Sequence, residues 1–154
     1  MKKLLALILI IFGLYSCKPD QPAQQHQQQI DSLLTRLGQM NEQLNSLRIR
    51  EVQQFHDSLK RHYDTIQPVD SSARSFKHMQ RSTNLLNWYD NITREITFSR
   101  SHLRSLERQM DGQPPDSSVI KQITKEKQIV GNLEERFGEE YRELQKAMKE
   151  LLNK

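Results

Sequence analysis

The chain has 154 residues, 35% hydrophobic, 27% charged and 6% aromatic, with a formal charge of +4 and a mean hydropathy of −0.79. That is the length of one domain, and it is too polar for a multi-spanning membrane protein. Few aromatics and only five Gly and five Pro argue against a sheet protein, while a single cysteine excludes an internal disulfide framework and a Cys-rich zinc site. The first feature in chain order is a leader. Lys2 and Lys3 precede an apolar run from Leu4 to Phe12, broken only by Ala6. The run is too short to span a bilayer stably, so residues 1–16 are expected to be a cleaved secretory signal. The polar, proline-containing stretch after Cys17 argues against a transmembrane anchor.

Leu14-Tyr15-Ser16-Cys17 closes the leader and resembles the bacterial lipobox, with Leu at −3, a small residue at −1 and Cys at +1. Tyr15 departs from the usual small or aliphatic residue at −2. The resemblance implies cleavage before Cys17, a diacylglycerol on its thiol and a further acyl chain on its new amine. The sole thiol thus stands where a thioether is needed, and two or three acyl chains anchor durably where one is marginal. In enterobacterial sorting, Asp after the cysteine retains a lipoprotein at the inner membrane. Lys18 stands there, so the outer membrane of a Gram-negative cell is the expected location.

Residues 17–29 read as the lipidated cysteine and a Gln/Pro-rich tether, flexible or only partly helical. The remaining prolines, Pro68 and Pro114-Pro115, divide residues 30–154 into three long segments, at about 30–66, 71–111 and 116–153. Asp and Ser residues after each proline are placed to cap the next helix, and Gly112 to end the one before.

Each segment has helical periodicity. Ile30, Leu33, Leu37, Met40, Leu44 and Leu47 step by three and four; the series then slips one residue and resumes at Val52, Phe55 and Leu59. Leu85, Tyr89, Ile92, Ile96, Leu103, Leu106 and Met110 follow the same alternation, with Ser99 as its polar member. Ile123, Val130, Phe137, Leu144 and Leu151 recur every seventh residue, flanked by Ile120, Tyr141 and Met148. These are coiled-coil-like heptads. At 1.5 Å per residue, each segment makes a helix of roughly 60 Å. Short connections favour antiparallel neighbours, so the expected fold is all-α, an elongated antiparallel three-helix bundle. A helical hairpin with a splayed third helix is the alternative.

His56-Asp57-Ser58-Leu59 together with Leu85-Leu86-Asn87-Trp88-Tyr89-Asp90-Asn91-Ile92 resembles a group of small helical lipoproteins of Bacteroidota labelled "viral A-type inclusion protein". The match covers a dozen residues, with a shorter spacing between the His-Asp pair and the tryptophan. It implies a lipid-anchored helical protein.

Candidate chemistry is sparse. His56, His62 and His78, with Asp57 and Asp64, form the one constellation that an antiparallel hairpin around Pro68 would bring together. A metal site needs three or four convergent ligands, and a spacing of six puts His56 and His62 on different faces, so half-buried or surface histidines are the better expectation. Arg100, Arg104 and Arg108 form a basic stripe that would either meet an anionic envelope component or pair with glutamates such as Glu134, Glu135 and Glu139. Removal of Lys2 and Lys3 lowers the formal charge to +2, which gives no strong overall steering. Asn91-Ile92-Thr93 matches a glycosylation acceptor, discounted for a bacterial helix.

Trp88, the only tryptophan, lies beside the heptad seam and is the candidate interaction residue. No nucleophile–base arrangement, phosphate loop or His-Glu-x-x-His motif is present, so neither catalysis nor a cofactor is expected. The partners expected are the membrane, through the lipid on Cys17, and an envelope protein. Nucleic acid is not expected for an exported chain. The leading reading is a non-enzymatic lipid-anchored spacer, scaffold or partner-binding module. A periplasmic holdase and a metal-binding bundle are the alternatives.

Overall fold

Apolar residues three and four apart gather on one side of a helix, and the long runs of that spacing here fold as helices. The computed structural model describes residues 21–65, 73–110 and 114–152. Among them are four helices and no strand: α1 (Gln21–Asn45), α2 (Ile49–Thr65), α3 (Ala73–Gln109) and α4 (Ser117–Leu152). The leader, Cys17 and the turn residues Pro68 and Gly112 lie outside the described residues.

Two boundaries differ from the sequence expectation. The first helix starts at Gln21, not near residue 30, so most of the expected tether is helical. Gln and Ala are good helix formers, and Pro22 falls in the first turn, where a missing backbone N–H costs nothing. The expected helix over 30–66 is also two helices, parted at Ser46–Leu47–Arg48. The cause is the slip in the heptads. Leu47 and Val52 are five residues apart, and the extra residue would swing Val52 about 100° off the seam of a continuous helix. The chain unwinds instead. Leu47 N–H donates to Leu44 O at 3.0 Å, and the Ser46 hydroxyl to Gln43 O at 2.6 Å, closing α1. Arg48 O then accepts from the N–H of Glu51 and of Val52, opening α2. The Arg48 guanidinium hydrogen-bonds the Glu51 carboxyl and holds it below its ordinary range.

Cross-helix bonds give the directions. Arg36 pairs with Glu134, and the Tyr141 hydroxyl donates to Gln43 O at 3.2 Å, so α1 runs parallel to α4. Glu95 with Arg136, and Arg81 with Glu150 at 3.4 Å, make α3 antiparallel to α4. His56 Nδ1 lies 3.0 Å from Ser82 Oγ and the Phe55 ring meets His78 edge-on, while Val52 clusters with Leu85, so positions rise along α2 as they fall along α3, the antiparallel sense. Both α1 and α2 pack on α3 and α4, one after the other along the axis.

The seams bury as the spacing requires. On α4, Ile123, Val130, Phe137, Leu144 and Leu151 are all buried, as are Ile92, Ile96, Leu103 and Leu106 on α3. The core forms two clusters. The larger joins α1 to α3 and α4, and the smaller gathers Val52, Leu85, Leu144, Met148 and Leu151 around α2. Leu47 and Trp88 touch both. Asp116 caps α4 as its position predicts: Oδ1 accepts from the N–H of Ser118 and of Val119, each at 2.8 Å.

Candidate functional site

Trp88 sits one residue before the seam position Tyr89, which turns its indole to the edge of the α3–α4 interface and leaves it half-buried. Its Nε1–H donates to the Glu140 carboxylate of α4. Its ring stacks on Phe137 at 6.2 Å between centroids, and Phe137 stacks on Tyr141 at 5.1 Å. The indole is thus held by Glu140, by the Phe137 ring and by its packing against both core clusters, with an edge left open.

That edge borders a shallow groove of about 460 Å³ between α3 and α4. Leu85, Leu144, Ala147 and the indole supply its apolar floor, and Glu139, Glu140 and Glu143 stand around it. The three glutamates fall within one helical turn of α4, so their carboxylates face one opening. Glu140 accepts the indole N–H. Glu139 and Glu143 are exposed and have no ion-pair partner among the described residues. An apolar floor beneath free carboxylates suits a group with an apolar body and a cationic end.

The other candidates are distributed differently. His56 is engaged with Ser82, His78 lies against Phe55, and His62 is exposed. The side chain of Asp64 lies outside the described residues. Among those described, no three or more His, Cys, Asp or Glu converge as a metal site. Arg100, Arg104 and Arg108 do line one shallow groove of about 430 Å³, completed by Thr97 and Ser101 of the same helix. Among the described residues the expected pairing of this stripe with α4 does not form: Glu134 is held by Arg36 of α1, and Arg104 and Arg108 are exposed. Exposed large apolar side chains among the described residues are Phe76, Phe98 and Ile129. Phe76 and Phe98 are roughly 33 Å apart along α3, which is not a continuous client-binding stripe. No helix among the described residues is long and apolar enough to cross a membrane.

No protein-family model matches the chain, and no curated protein or solved structure matches it.

One polar cluster escaped the reading of the sequence. Glu126 is 2% exposed and occupies a seam position of α4, three residues after Ile123 and four before Val130. Its Oε1 lies 2.7 Å from His102 Nδ1 on α3, and His102 Nε2 lies 3.3 Å from Gln122 Oε1. With the carboxylate as acceptor, Nδ1 carries the hydrogen. Glu126 Oε2 is buried with no hydrogen-bond partner among the described residues. The signal was present in the heptads, since extending the series through every a/d position of α4 lands on Glu126. Ser82 and Ser99, both fully buried, are the corresponding polar positions of α3.

Proposed function

We propose that this protein is a lipid-anchored envelope protein that works without chemistry, as a helical scaffold that captures a protein partner at the Trp88 groove. The anchor is Cys17, and the location is the outer membrane of a Gram-negative cell. The support for the anchor is the series in the sequence: two lysines, a short apolar run, the lipobox-like tetrapeptide and the sole cysteine. The observation that carries the binding role is the groove itself, where the only tryptophan, half-buried and held by Glu140, borders an apolar floor beside two glutamates with no ion-pair partner among the described residues. Hot spots of protein interfaces have this make-up, an aromatic anchor within a polar rim. The partner it suits presents an apolar side chain flanked by Lys or Arg.

Two experiments test the reading separately. Metabolic labelling with a palmitate analogue compares wild type with Cys17→Ser, and equal labelling of both refutes the anchor. Photocrosslinking in intact cells from position 88, with Lys125 as the remote control position, tests the groove. A specific protein adduct from 88 alone is the expected result. Identical adducts from both positions, or none from 88, refute the binding role.

A further inference from the structure

We propose that Arg100, Arg104 and Arg108 are a seat for anionic lipid headgroups, so that the anchor-proximal part of α3 rests on the membrane surface. This rests on the anchored reading above and adds a second, electrostatic attachment to it. The three arginines follow one another at about 6 Å along α3, over roughly 12 Å in all. They share one open groove whose remaining lining is the two hydroxyl residues Thr97 and Ser101. Among the described residues none of the three is paired with a carboxylate, whereas Arg36, Arg48, Arg81 and Arg136 each hold a glutamate. Among the described residues Arg108 donates to Arg104 O, a backbone carbonyl of its own helix. Three unneutralised guanidinium groups on an outward face match a row of phosphate oxygens.

The position of the stripe names the occupant. Gln27 Nε2 donates to Glu107 Oε1 at 3.0 Å, which puts Arg108 level with a residue only six places from the start of α1. That is about 9 Å along the helix. Three residues separate Cys17 from Gln21, and the four steps between them, fully extended, reach at most about 14 Å. That reach and the roughly 9 Å together hold Arg108 within about 23 Å of the surface on which the lipid would hold the protein, so a bundle lying along that surface brings the stripe to the headgroups. A formal charge of only +2 on the mature chain makes the attraction local to this face. Each arginine near an anionic surface is worth about a five-fold gain in binding, and three together on the order of a hundred-fold.

The test uses the mature chain from residue 17 with Cys17→Ser, which keeps every core residue and carries no lipid. Its sedimentation with vesicles of phosphatidylcholine alone, and of phosphatidylcholine with phosphatidylglycerol, is compared with that of two triple variants. One is Arg100→Gln/Arg104→Gln/Arg108→Gln. The other is Arg50→Gln/Arg94→Gln/Arg142→Gln, which removes equal charge from exposed sites elsewhere. Circular dichroism checks that both variants keep the wild-type helix content. The expected result is binding to the anionic vesicles only, lost on the order of a hundred-fold in the stripe variant and nearly kept in the control. Equal loss in both variants, no loss in the stripe variant, or equal binding to neutral vesicles overturns the proposal. Stripe-dependent binding of soluble heparin without vesicle binding also overturns it, in favour of a soluble polyanion. Because no lipid is attached in this assay, its outcome is independent of the palmitate labelling that tests Cys17.

Discussion

Replacing Glu126 by Leu should make the protein more stable, although it breaks a hydrogen bond. Glu126 stands in an otherwise apolar seam, 2% exposed, with Oε2 lacking a hydrogen-bond partner among the described residues. A buried polar atom left unpaired costs about 1–3 kcal/mol, and the substitution removes it. The interaction lost is one bond to His102, whose side chain is one-third exposed and regains water when the carboxylate goes. Apolar replacement of such pairs is neutral or stabilising by about 1–4 kcal/mol, so a gain of about 1–3 kcal/mol is expected for Glu126→Leu. In a chain of this size that raises Tm by roughly 2–10 °C. His102→Ala has the opposite sign, because it leaves the buried carboxylate with no partner at all, and should cost about 1–3 kcal/mol. Adding Glu126→Leu to His102→Ala should recover that loss. Thermal and urea melts followed by circular dichroism read all three variants. A Glu126→Leu variant destabilised by more than about 1 kcal/mol would mean that the pair outweighs its desolvation, and the reasoning would fail.

Phe137 is buried between the Trp88 and Tyr141 rings, and Phe137→Ala should cost about 3–5 kcal/mol and shift Trp88 emission to the red. Asp116→Ala removes both bonds to the first turn of α4, and a urea melt should register a loss of about 1 kcal/mol. Gly131 lies inside α4 with nothing within 4 Å of the place a Cβ would take, so Gly131→Ala should raise stability by about 1 kcal/mol in the same assay.

The seams of α3 and α4 were legible because three-and-four spacing has one reading when it continues without interruption. Val130, Leu144 and Leu151 are core for the same reason that they recur every seventh residue. The cap at Asp116 was legible from its place after Pro115. The break at Ser46–Arg48 was visible only as a five-residue step from Leu47 to Val52. Such a step permits either a twisted continuous helix or an interrupted one, and only the fit to α3 and α4 decides between them. The start of α1 was missed because a Gln-rich stretch has no apolar period to mark it. It is helical by propensity and by the tie of Gln27 to Glu107, a partner 80 residues away. The His102–Glu126 pair was missed because hydrophobic periodicity is blind to a charge that fills an apolar position. The Trp88 groove was half legible: the tryptophan stood out, but its glutamates come from a different helix and converge only through the α3–α4 register.

The division of the core makes the bundle unequal along its length. Among the described residues the cluster on the α1 side holds fifteen buried members and the cluster around α2 only five. Opening free energy follows buried apolar contact, so amide exchange should run fast through α2 and the last turns of α4 and slowly through α1 and the middle of α3. The rod thus has a firm half next to its N-terminal end and a half that breathes. Trp88 and Leu47 straddle the two, and a partner seated beside Trp88 would bridge them. Binding there would register as a slowing of exchange in the breathing half, a stiffening passed along the rod with no change in its shape.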